Sequence, residues 1–125
     1  MNKYFLGSVF KGSEAFIISD NFINKEESVI YIARDDREIY NVYNKLKFLL
    51  PKEEILIYRS WDQIPYDNVS PSKEIQSERI KTLYSHINSN KKIIITSVNA
   101  IVQKTINKNF LNHNLVEINV NLNIN

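Results

Sequence analysis

The sequence contains no cysteine, which excludes a disulfide framework, a thiolate zinc site and a cysteine nucleophile. Its two histidines offer few imidazole ligands, so metal chemistry is set aside. Glycine and proline are scarce, two and three copies in 125 residues, and no Gly- or Ser-rich linker interrupts the chain. A single lobe over residues 1–125 is therefore expected, because this length supports one compact domain. Long apolar runs are missing too. Nothing approaches the ~20 residues of a membrane span, and the start Met1-Asn2-Lys3-Tyr4-Phe5-Leu6-Gly7 lacks the apolar core of a signal peptide. The expectation is a cytoplasmic chain with no membrane partner. Charge of one sign is also lacking: 16 Lys and Arg against 14 Asp and Glu leave a net +2, so a nucleic-acid surface would have to be a local patch.

What is present suffices for a core, since 43% of residues are hydrophobic and 11% aromatic. Ser28-Val29-Ile30-Tyr31-Ile32-Ala33 reads as a buried strand, and Arg34-Asp35-Asp36-Arg37 as the turn after it. Ile39, Val42, Tyr43, Leu46, Leu49 and Leu50 recur at helical spacing, with Asp35 or Asp36 to cap the start and Pro51 to end the pattern. Glu54-Ile55-Leu56-Ile57-Tyr58 and Lys92-Ile93-Ile94-Ile95-Thr96 lack polar alternation, as interior parallel strands do. Between them Ile75, Ile80, Leu83, Tyr84 and Ile87 mark a helical face that begins after Ser70-Pro71-Ser72. A short helix is expected over 98–104 and a half-exposed edge strand over 115–120. Strands alternating with helices give the fold class: α/β, a parallel sheet with flanking helices.

The front of the chain carries the first candidate site. Gly7-Ser8-Val9-Phe10-Lys11-Gly12 has the GxxxxG spacing of a phosphate-binding loop, and Phe16, Ile17, Phe22 and Ile23 follow it at helical spacing. A working loop continues with Lys, which reaches the β- and γ-phosphates, and Ser or Thr, which helps hold magnesium. Here Ser13 and Glu14 stand in those positions. A carboxylate beside a triphosphate repels it, so the loop reads as degenerate and no cofactor is expected. The plain alternative is two glycines that fall by chance before a helix capped by Ser13.

The second candidate is the loop Ser60-Trp61-Asp62-Gln63-Ile64-Pro65-Tyr66-Asp67-Asn68-Val69-Ser70-Pro71-Ser72, which follows a strand, where α/β sheets place ligands. Trp61 and Tyr66 could stack on a base with Arg59, Lys73 and Arg79 on phosphate, or they could pack the loop onto the sheet. The carboxylate pairs Asp62 with Asp67, Asp35 with Asp36 and Glu53 with Glu54 read as solvated surface, and Lys91-Lys92 is a short basic pair before a strand, too small for a nucleic-acid patch. His86 is expected on an exposed helix face and His113 in a polar turn, neither beside a nucleophile.

Several of these pieces occur together in one known family. Leu6-Gly7 with Gly12-Ser13, then Ile30-Tyr31-Ile32-Ala33 and Trp61-Asp62-Gln63-Ile64-Pro65-Tyr66-Asp67 leading to Ser70-Pro71, are the first part of the series. Glu74-Ile75, Ser77-Glu78-Arg79 with Leu83, Ile94-Ile95-Thr96-Ser97-Val98-Asn99-Ala100-Ile101 and Asn109-Phe110-Leu111 complete it. Over nearly its whole length the chain resembles the N-terminal, excinuclease-B-like segment of bacterial transcription-repair coupling factors. The resemblance implies a P-loop, helicase-like lobe without a nucleotide site, incomplete in itself, acting as a non-catalytic scaffold in transcription-coupled nucleotide excision repair. It further implies as partners the remaining domains of the factor and, through them, excinuclease A, RNA polymerase and double-stranded DNA. The domain that binds excinuclease A and the ATP-driven translocase have no matching positions here, so no catalytic or partner-binding residue carries over.

Overall fold

A computed structural model describes residues 7, 9–62, 70–88 and 91–115. Five helices and three strands follow in the order α1 (Glu14–Asn24), β1 (Val29–Ala33), α2 (Asp36–Leu49), β2 (Ile55–Tyr58), α3 (Lys73–Asn88), β3 (Ile93–Ser97), α4 (Val98–Val102) and α5 (Lys108–Asn114). The strands form a parallel sheet in the order β1-β3-β2. The α/β expectation holds. The strand expected over 115–120 lies outside the described residues except for Leu115, which ends α5.

Local chemistry explains the helix boundaries. Asp35 is extended and its carboxylate accepts the backbone N–H groups of Arg37 and Glu38 at 3.1 and 3.0 Å, satisfying two of the unpaired donors at the start of α2. Ser97 caps α4 by accepting from Ala100 N at 3.2 Å, and Asn107 caps α5 by accepting from Asn109 N at 2.8 Å. His113 thus sits on the short helix α5 rather than in a turn, its Nδ1 2.7 Å from the Asn109 carbonyl oxygen. His86 is exposed, as expected.

The pairing register sorts the strand residues between two faces, since side chains alternate along a strand. Val29, Ile93 and Ile55 lie across from one another, as do Tyr31, Ile95 and Ile57. These face α1 and α2, whose Ala15, Ile18, Phe22, Ile39, Val42 and Leu46 complete the larger core. Leu56, Tyr58 and Ile94 point to the opposite face and form a smaller core with Ala100 and Leu83. α3 packs on the β2 half of that face. On the β1 half, Ile30 and Ile32 remain 55% and 47% exposed.

Four expectations need correction. β3 is interior, buried along its length, but among the described residues β2 is an edge strand. β1 is buried on one face alone. The inward stripe of α1 is Ala15, Ile18, Ser19 and Phe22, so Phe16 and Ile23 point out; α3 buries Ile75, Arg79 and Thr82 and packs Leu83 on the smaller core, while Ile80, Tyr84 and Ile87 are half-buried. Of the basic pair before β3, Lys92 is fully buried and its Nζ donates to the Ser85 carbonyl, while Lys91 Nζ lies 4.4 Å over the Phe22 ring.

Candidate functional site

Gly12 adopts φ +106°, a conformation that side-chain-bearing residues rarely take, and so turns the chain into α1. Its backbone N–H donates to Glu14 Oε2 at 2.7 Å. Ser13 does not cap the helix through its side chain. Its Oγ instead donates to the Phe10 carbonyl at 2.7 Å, which also receives the Ser13 N–H at 3.0 Å. The turn therefore holds a carboxylate where a phosphate loop would offer its amide to a ligand. Gly7 is exposed and a Cβ there would meet nothing within 4 Å, so no packing demands glycine at that end.

Beside this turn is an open cavity of about 640 Å3 between the Gly12 turn and the first turns of α2. Lys11, Arg34, Arg37 and Lys45 line it together with Glu14, Asp35 and Glu38. The carboxylates are each occupied. Glu38 accepts from the Tyr31 hydroxyl and from Arg34 N, both at 3.0 Å, and Asp35 caps α2. Burial, followed by the Glu38 hydrogen bond and the charges of Glu38 and Glu14, pushes the Tyr31 hydroxyl up to about 12. The amide of Glu38, helped by Arg37 and Arg34, holds Asp35 below its usual value.

The tryptophan loop is anchored by groups that sequence reading assigned to ligands. Arg79 is 2% exposed, its guanidinium stacked between the Tyr58 ring at 4.1 Å and the Trp61 ring at 4.2 Å. Nη1 donates to the Arg59 carbonyl at 2.6 Å and to Gln103 Oε1 at 3.3 Å, and Nη2 donates to the Tyr58 hydroxyl at 2.6 Å. Burial lowers the Arg79 pKa, with Tyr58 and Asp36 opposing. Buried against both rings, it is not presented to a phosphate. Arg59 pairs with Glu78 at 2.9 Å; burial works to lower its pKa, and Glu78, Tyr40 and Glu74 outweigh that and raise it. Lys73 is exposed at the start of α3.

The two ends of that loop are tied together, because Asp62 Oδ1 accepts from Ser72 N at 3.1 Å, which also lowers the Asp62 pKa. The Pro71 carbonyl accepts from Gln76 Nε2 at 2.7 Å, and Ser70 is exposed. Pro65, Tyr66 and Asp67 lie outside the described residues. Asp36 is not a solvated partner of Asp35. Half-buried, it accepts from Ser60 N at 3.2 Å, from Ser60 Oγ at 2.5 Å and from Ser97 Oγ at 2.5 Å, joining the ends of β2 and β3. Sequence reading missed Gln103, which accepts from both Trp61 N and Arg79, and Lys45, whose Nζ approaches Gly12. Neither falls in a motif, so no local signal marks them.

Among the described residues no helix is long and apolar enough to cross a membrane. No family model matches the chain. It is 33% identical over 103 residues to the transcription-repair-coupling factor of Rickettsia bellii, covering 80% of the chain and 9% of that protein. To the factors of Haemophilus influenzae and Escherichia coli it is 26% and 25% identical over 113 and 112 residues, or 90% and 89% of the chain and 10% of each relative. The chain thus spans about a tenth of the length of the curated relatives it matches. Shared sequence along 80–90% of its length makes it a counterpart of one segment of the transcription-repair coupling factors, the family to which it belongs.

Proposed function

We propose that residues 1–125 form a single helicase-like P-loop lobe with a degenerate phosphate loop, serving as a non-catalytic scaffold in a transcription-coupled nucleotide excision repair factor. The observation that supports this reading is the Gly12 N–H held by Glu14 Oε2 at 2.7 Å. A γ-phosphate brought to the turn would have to displace a covalently tethered carboxylate and then face its charge, with no lysine after Gly12 to offset it. The lobe works in the cytoplasm and docks the remaining domains of the factor. Those domains, rather than this one, contact excinuclease A, RNA polymerase and double-stranded DNA.

Titration calorimetry of the chain with magnesium ATP tests the loop, and no saturable heat is the expected result. A saturable isotherm in the micromolar range refutes the degenerate reading. An antibody raised against this segment tests the context: a cellular product many times larger than the chain is expected, and one of the chain's own size refutes the role of a lobe within a factor.

A further inference from the structure

The fold takes two cations of the tryptophan loop, Arg59 and Arg79, for itself and leaves four others unburied around one cavity. Lys11 and Lys45 make no hydrogen bond or ion pair to a described residue, and Arg34 and Arg37 reach only Asp35, at 3.7 and 3.6 Å, with their side chains 86% and 93% exposed. These four surround one cavity, and its three carboxylates already accept from backbone amides or the Tyr31 hydroxyl. An apolar groove of about 410 Å3 adjoins it between α1 and α2, sharing Gly12, Asn41 and Lys45 with the cationic cavity. Phe16 and Phe48 line the groove, 61% and 85% exposed.

A line of cations beside exposed rings is the arrangement that takes a charged backbone and its bases together. We propose that this composite groove binds single-stranded nucleic acid, with phosphates across Lys11, Arg37 and Lys45 and a base stacked at Phe16 and Phe48. Glu14 sets the ligand class. By occupying the Gly12 amide it repels a compact triphosphate from the turn, whereas an extended strand lies across the mouth and spaces its charges along the cations. The choice of ligand rests on the reading of Glu14 as closing the turn to triphosphate, whereas the scaffold reading stands whether or not the groove binds.

The test is fluorescence anisotropy of a labelled oligothymidylate titrated with the full chain at several salt concentrations. Binding is expected to weaken with salt with a log–log slope of about −2 to −3, for three or four single-strand phosphates. Phe48→Ala should lower affinity at least about fivefold, the loss of one stacked base. Lys11→Glu with Lys45→Glu should lower it more than tenfold. All three side chains lie outside the buried core, and unchanged thermal midpoints establish that the variants fold. Lys73→Ala, at the exposed cation of the tryptophan loop, separates this groove from that loop and should leave affinity within twofold. Three results overturn the proposal: no binding at low salt, binding insensitive to Phe48→Ala, or equal affinity for polyphosphate or polyglutamate, which carry charge without bases.

Discussion

Replacing Arg79 should be among the most damaging single changes to this chain. Arg79→Ala removes a buried guanidinium that donates to the Arg59 carbonyl, the Tyr58 hydroxyl and Gln103 Oε1, and opens a gap between the Tyr58 and Trp61 rings. Hydrogen bonds to a charged group contribute ~1.5–3 kcal/mol each, and a desolvated cation–π contact about 2. Burying the charge cost much of that sum in the first place. The net loss expected is therefore about 3–5 kcal/mol, the range for removing one member of a buried charged network. Arg79→Lys retains the charge but cannot lie flat between two rings or fork to three acceptors, and should lose about 2 kcal/mol. Urea unfolding measures both. Trp61 is the sole tryptophan, so its emission reports directly on the stack and should shift to the red in both variants. A loss below about 1 kcal/mol for Arg79→Ala, with unchanged emission, would show that the sandwich does not hold the loop.

Three further outcomes are expected. Asp36→Ala leaves Ser60 and Ser97 without their shared acceptor and should destabilise by about 2–4 kcal/mol in urea unfolding, whereas Asp35→Asn should be milder because it retains a capping oxygen. Asp35 and Asp62 have carboxyls depressed in the folded state, so their contribution is complete above the unfolded carboxyl value of about 3.9 and is lost as pH falls through the lower folded values. Acid titration of unfolding should show Asp35→Asn flattening that decline. Ile95→Ala, in the middle of the larger core, should cost about 3–4 kcal/mol in urea unfolding, while Ile30→Thr on the exposed half of the opposite face should cost under about 1.

Much of the architecture is legible in local chemistry. The runs read at 28–33, 54–58 and 92–96 and the helical pattern ending before Pro51 place strands and α2 within a residue or two, because propensity, capping and burial agree there. The Gly12 turn is equally local: Glu14 lies two residues from the amide it occupies, so its charge could be judged from the sequence. Other assignments depended on distant neighbours. Whether Phe16 or Ala15 faces inward depends on how α1 is rotated against α2, and both residues fit an amphipathic pattern.

The sequence by itself determined a parallel α/β chain, two glycines at GxxxxG spacing with no lysine after them, and a tryptophan loop at a strand end. Tertiary structure alone decided what the charged residues do. Arg79 and Trp61 are 18 positions apart in the sequence and Gln103 is 24 from Arg79, yet one stack joins them. Asp36 meets Ser97 across 61 residues. A surface arginine and a buried one have the same letter and flank, and what separates them is whether folding brings enough rings and acceptors together to replace the water that burial removes.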